Sequence, residues 1–169
     1  MIAELLVAEM DREFAGTRRT LERVPEGRND WKPHEKSTTL GYLAGLVATM
    51  PGWIVSMVSD DQFDVAKPGR YGTSEFKSSG ELLRAFDKAA AEARAVVAAA
   101  SDDRLLKTKW KFLFDGQEIS NETRYEAVRV SALNHLYHHR AQLTTYLRLN
   151  QKPVPSLYGP SADEAVPGF

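Results

Sequence analysis

Cysteine is absent from the 169 residues. Its absence excludes disulfides, thiolate zinc sites and cysteine nucleophiles together, so stability must come from packing. It also fits a reducing compartment, and a cytoplasmic protein is expected. A surplus of one charge is lacking too. The formal net charge is −1 and the sequence pI is near 6.4, so no long-range field draws nucleic acid to the chain. Lys107, Lys109 and Lys111 form only a small basic strip, read as a solvated edge. Met1-Ile2-Ala3-Glu4-Leu5 lacks the basic start and apolar run of a secretion signal. Long hydrophobic runs are scarce. Leu40 to Ser59 is the exception, twenty residues without a charge, which is the length that a bilayer span requires. Gly41, Tyr42, Gly45, Pro51, Gly52 and several hydroxyls interrupt it, so a buried helix is expected there and no membrane association.

What remains is ordinary globular composition, 43% hydrophobic and 27% charged, enough for one domain, residues 1–169, to bury its own core. A first helix is predicted from about Ile2 to Arg23, because Leu6, Met10, Phe14, Thr17, Leu21 and Val24 recur at three and four residues. Pro25 to Asp30 reads as a turn, and Ser37 or Thr38 as the cap of a second helix from about Thr38 to Ser59. Pro51 lies inside that helix and should bend it. Asp60 to Ser79 is polar and reads as a long surface loop. Ser78 and Glu81 have capping-box spacing for a third helix, about Gly80 to Ala100.

Lys107-Thr108-Lys109-Trp110-Lys111-Phe112 alternates as a strand does, and Asp115-Gly116 is a preferred two-residue hairpin turn, so a short β-hairpin is expected before the last helix. That helix should run from near Asn121 to about Leu149. On it Val128, Ala132, His135, His139, Gln142 and Tyr146 make one stripe, with Leu133, Leu136, Tyr137 and Leu143 on other sides, so it should sit centrally. The prolines of Pro153-Val154-Pro155 start an extended tail, residues 150–169. Four long helices joined by one long crossover imply an all-α antiparallel bundle.

Three of the four histidines fall within Asn134-His135-Leu136-Tyr137-His138-His139-Arg140-Ala141-Gln142-Leu143. His135 and His139 are four residues apart and project from one helix face, so both rings can converge on one metal ion. His138 points about 100° away, and His34 lies three turns before Leu46, roughly 18 Å along a helix axis.

This segment, with Arg124-Tyr125-Glu126, Lys32-Pro33-His34-Glu35-Lys36-Ser37, Met50-Pro51-Gly52-Trp53 and Tyr158-Gly159-Pro160-Ser161-Ala162-Asp163-Glu164, resembles the DinB/YfiT-like superfamily over nearly the whole chain. The resemblance implies a four-helix bundle with an up-down-down-up path, commonly a homodimer, carrying a three-histidine metal site. Activities in the family include metal-dependent transfer or isomerisation using small thiols. The family name records induction by DNA damage and implies no DNA binding. His135 and His139 match the two metal histidines of the last helix. The third, on helix two, would stand after Leu43-Ala44-Gly45, where this chain has Leu46, which cannot coordinate. Two function classes follow. One is a non-catalytic dimeric bundle with a degenerate metal site and a small-ligand pocket at Leu46, Tyr137, Gln142 and Arg140. The other is an enzyme of the thiol-transferase or hydrolase type holding zinc or nickel on His135 and His139, which would lower the pKa of bound water or thiol.

Overall fold

The computed structural model describes residues 1–67 and 76–165. Helix α1 spans Ile2–Leu21, α2 Leu40–Thr49 and α3 Pro51–Ser59; α4 spans Ser79–Ala98 and α5 Asp102–Lys107. Strand β1 (Gln62–Asp64) precedes α4, and β2 (Lys109–Phe114) and β3 (Gln117–Thr123) follow α5. A final helical stretch consists of α6 (Arg124–Glu126), a π-helical segment (Ala127–Asn134) and α7 (His135–Leu149). The architecture is mostly helical with one small three-stranded sheet.

The apolar stripe of α1 is buried as expected, Leu6, Met10, Phe14 and Leu21 against α4. The uncharged stretch becomes α2 and α3, bent by 40° across Met50, because Pro51 offers no N–H to the preceding turn and starts a new helix instead. Among the described residues no single helix is long and apolar enough to cross a membrane. The cap of α2 is Thr39, one residue beyond the expected pair; its side chain accepts from the Tyr42 N–H at 3.3 Å. Gly41 is needed there, since a Cβ would meet the Cβ of Asn29 at 2.8 Å. Ser78 caps α4 as expected, accepting from the Glu81 N–H, while the Glu81 carboxylate takes the Lys77 N–H in place of that of Ser78. One apolar cluster joins α1, α2, α3, α4 and α7 through Met10, Leu43, Ile54, Phe86 and Leu143.

Several expectations shift. Beyond the end of α4, Ser101 starts a further element. Its hydroxyl accepts from the Arg104 N–H and opens α5, an element the periodicity did not reveal because it is shorter than two turns. The loop Asp60–Ser79 contains β1, which pairs parallel with β2; residues 68–75 of that loop lie outside the described residues. The alternating strand starts at Lys109, two residues later than expected. Its alternation breaks at a bulge between Phe112 and Leu113, which turns Leu113 inward.

The hairpin turn is as expected. Asp115 and Gly116 both have positive φ, 49° and 75°, the twist that suits a two-residue hairpin. The buried Asp64 carboxylate holds it, accepting from the N–H groups of Asp115 at 3.0 Å and Gly116 at 2.9 Å. Asn121 lies in β3, so the final helix begins only at Arg124, behind a capping box of Thr123 and Glu126. Arg124 is 2% exposed and donates to the carbonyls of Met57 and Asp60 and to Asp61, thereby closing the C-terminus of α3.

The tail is extended over its described part, as the prolines require, and is tied down: Glu164 pairs with Arg19 and Arg23, and Asp163 with Arg148; residues 166–169 of the expected tail lie outside the described residues.

Candidate functional site

The π-helical segment delivers His135 as the first residue of α7, one wide turn beyond Ser131. His139 follows one turn later, and the two Nε2 atoms are 2.8 Å apart. Gln142 Oε1 lies 2.8 Å from His139 Nδ1. An amide oxygen only accepts, so the neutral ring carries its proton on Nδ1 and presents a lone pair at Nε2. At 2.8 Å the facing Nε2 of His135 must then carry a proton, or an ion must stand between the rings. Partial burial of His135, then the neighbouring His139 and His138 rings, push its pKa down, opposed by a hydrogen bond with the Ser131 backbone. The pair is not in the core. His135 and Gln142 are exposed and His139 half-buried, while the buried stripe of α7 is Leu136, Arg140, Leu143 and Leu147.

A catalytic metal centre of this kind uses three protein ligands and an open position. Among the described residues no three His, Cys, Asp or Glu side chains converge on one point. The His138 ring packs edge-on against His139 at 5.0 Å and is exposed. His34 is a loop residue whose Nδ1 accepts from the Lys36 N–H. Leu46 is buried on α2, which packs on α7, and offers only methyl groups. Among the described residues the donor set falls one ligand short of such a centre.

Tyr137 and Arg140 point to α1 instead. The Tyr137 hydroxyl lies 3.0 Å from Glu9 Oε1. Arg140, 2% exposed, donates to Glu13 Oε2 at 2.7 Å, to the Glu13 carbonyl at 2.9 Å and to Thr17 Oγ1 at 3.2 Å. Its guanidinium also meets the hydroxyl of Tyr158, which donates to Glu13 at 2.6 Å. The plane lies over the Tyr137 and Tyr158 rings at 5.2 and 5.4 Å. This cluster locks the tail, α1 and α7 together.

The concave feature beside the histidines is a cavity of about 430 Å³. Trp53, Ser56 and Met57 of α3 form one wall, Phe63, Trp110 and Phe112 of the sheet another, and Val130, Ser131 and His135 the third. Of the six side chains expected at a site, His135 is the one that lines it. The aromatic wall escapes sequence reasoning because it exists only once β1 lies parallel to β2. The alternation of Trp110 and Phe112 was the available signal, and it points to a shared sheet face without saying what that face meets.

A model of the DinB superfamily matches residues 9–143. Solved structures that share the fold include two DinB-like proteins. A DinB-like protein of Bacillus cereus is 20% identical with a TM-score of 0.68, covering 92% of this chain and 97% of its own. The DinB-like protein YjoA of Bacillus subtilis is 14% identical with a TM-score of 0.67, covering 90% and 97%. No curated protein matches the sequence.

Proposed function

The chain belongs to the DinB superfamily, and we propose that within it this protein is a non-catalytic small-ligand-binding bundle whose metal site is degenerate. The observation that carries the reading is the pairing of a 430 Å³ cavity with a histidine pair that lacks a third donor among the described residues. Space for a small molecule is present and the ligands for a resident catalytic ion are incomplete. The test is elemental analysis of untagged protein, before and after loading with zinc or nickel and passage over a desalting column. Substoichiometric metal in both samples is expected, and one retained equivalent would overturn the reading.

One feature favours a second reading, the divalent-metal-dependent enzyme of the thiol-transferase or hydrolase type. Gln142 engages the Nδ1 of His139, the kind of contact that orients a metal-binding imidazole. A bound ion would supply an activated water or thiol; the chain's own part would be to aim His135 and His139.

The wider reading treats residues 1–169 as one domain ending in the tail 150–169, its helices following an up-down-down-up four-helix path, in a cytoplasmic homodimer. The exposed Phe114 and Ile119 of the hairpin and Leu5 of α1 supply apolar surface for a second copy. Light scattering that shows only monomer at micromolar concentration refutes the dimer.

A further inference from the structure

Asp115-Gly116 is the one place in the sequence where Asp or Asn precedes glycine. At such a pair the backbone nitrogen of the glycine can attack the side-chain carboxyl group of the residue before it. The nitrogen loses its proton, a bond forms from it to the aspartate Cγ, and a carboxyl oxygen leaves as water. The five-membered succinimide then takes up water at either carbonyl. One product is aspartate again; the other is isoaspartate, in which the main chain runs through the side-chain carbon. Glycine favours closure because it has no side chain to hinder it and turns freely about its backbone. Water is the only other reactant.

The pair forms the exposed turn between β2 and β3, so solvent reaches it. Its restraint comes from elsewhere in the chain. Asp64, 8% exposed, ends β1. Its Oδ2 accepts the Gly116 N–H at 2.9 Å, and its Oδ1 accepts those of Asp115 at 3.0 Å and Ala66 at 3.1 Å. Burial pushes the Asp64 pKa up, but the N–H groups of Gly116, Ala66 and Asp115 and the Lys67 ammonium outweigh it and hold it below the usual aspartate value. The group is therefore an anion at neutral pH.

That anion opposes the first step of the reaction twice over. The Gly116 nitrogen would have to give up its proton beside a negative charge, against Coulomb repulsion. The lone pair set free would lie along the former N–H direction, where Asp64 Oδ2 stands, and so would not face Asp115 Cγ.

We infer that Asp115-Gly116 is a latent site of isoaspartate formation, which Asp64 keeps closed by holding the Gly116 N–H. An isoaspartate adds one main-chain carbon to a two-residue turn whose length sets the pairing of β2 with β3. Trp110, Phe112 and Ser120 of the cavity wall lie on those strands, so one modified residue would undo that wall. The inference is independent of what the cavity binds.

The test ages the full chain at neutral pH. Isoaspartate is counted with protein isoaspartate methyltransferase and located by electron-transfer fragmentation of the tryptic peptide 112–124. Folded wild type should form it at residue 115 at least about tenfold more slowly than the same chain in urea, the factor expected for a hydrogen bond to a charged acceptor. Asp64→Asn keeps one oxygen for the Asp115 and Ala66 N–H groups but turns its own N–H groups toward Gly116. It should raise the folded rate at least about fivefold over wild type. Asp115→Asn, a residue that tolerates positive φ, closes to the same succinimide with loss of ammonia and reports it as a deamidation mass shift; adding Asp64→Asn should accelerate it by the same factor. Circular dichroism and urea midpoints select conditions in which each variant is folded. If Asp64→Asn does not fold, amide hydrogen exchange in the wild type decides, because it begins with the same loss of the Gly116 N–H proton. That exchange should be at least about tenfold slower than in the unfolded chain. Equal isoaspartate rates in folded and unfolded wild type, an Asp64→Asn rate equal to wild type, or unprotected exchange at Gly116 overturns the inference.

Discussion

Replacing Arg140 by alanine tests whether this residue is structural or belongs to a ligand site. The guanidinium is 2% exposed and its partner Glu13 4%. Removal leaves the Glu13 carboxylate in the interior with the Tyr158 hydroxyl, at 2.6 Å, as its remaining close partner besides a 3.4 Å contact to Arg12. Breaking one member of a buried pair costs about 3–5 kcal/mol, chiefly because a charge is stranded. The hydrogen bond to Thr17 and the two aromatic faces are lost as well. At this chain length each 1 kcal/mol moves the melting temperature by about 2–4 °C. Urea unfolding should therefore show a midpoint far below wild type for Arg140→Ala, and similarly for Glu13→Ala. The double variant Glu13→Leu/Arg140→Met should recover much of the loss, because it removes both charges and restores volume. A loss below about 1 kcal/mol, or a double variant as unstable as the sum of the singles, refutes the account of a coupled buried pair.

Burial pushes the Glu13 pKa up, but the Tyr158 hydroxyl and the Arg140 guanidinium outweigh it and hold it below the usual glutamate value. Its contribution to stability is thus full above about pH 4.3 and lost as pH falls through the depressed folded value; Glu13→Gln should flatten urea midpoints across that acid limb, and an unchanged slope refutes this. Leu46→His should bind zinc or nickel at least about tenfold tighter than wild type and melt higher with metal than without, while its metal-free form is less stable than wild type because a polar ring replaces buried leucine. Equal affinity in chelator competition would show that Leu46 does not stand at the missing-ligand position. Leu133, 0% exposed in the π-helical segment, should lose about 2–5 kcal/mol on truncation to alanine, and a denaturation midpoint equal to wild type refutes its placement in the core.

Family membership was legible because it rests on local strings, such as His138-His139-Arg140-Ala141-Gln142, that read the same in any fold context. That Leu46 offers no donor atom was equally legible, since a leucine cannot coordinate wherever it points. The histidine stripe was half legible. The four-residue spacing brings His135 and His139 together, but an ideal helix also threads Val128 and Ala132 onto that face. The π-helical segment adds an offset between the two halves, so Val128 and Ala132 are buried while His135 is exposed.

Short-range chemistry decided what the sequence could determine alone: helices from three- and four-residue periodicity, the bend at Pro51, the Asp115-Gly116 turn, the capping serine of α4 and the extended tail. Each depends on groups within about one turn of one another. Tertiary structure alone decided the rest, because the partners are distant in sequence. Arg140 is a helix residue with a charge until α1 and the tail bring Glu13, Thr17 and Tyr158 to it. Phe63 is one aromatic in a polar loop until β1 lies beside β2. The cavity and its unpartnered indoles belong to no segment, since an enclosed volume is a property of the surfaces around it and appears only when α3, the sheet and the π-helical segment have met.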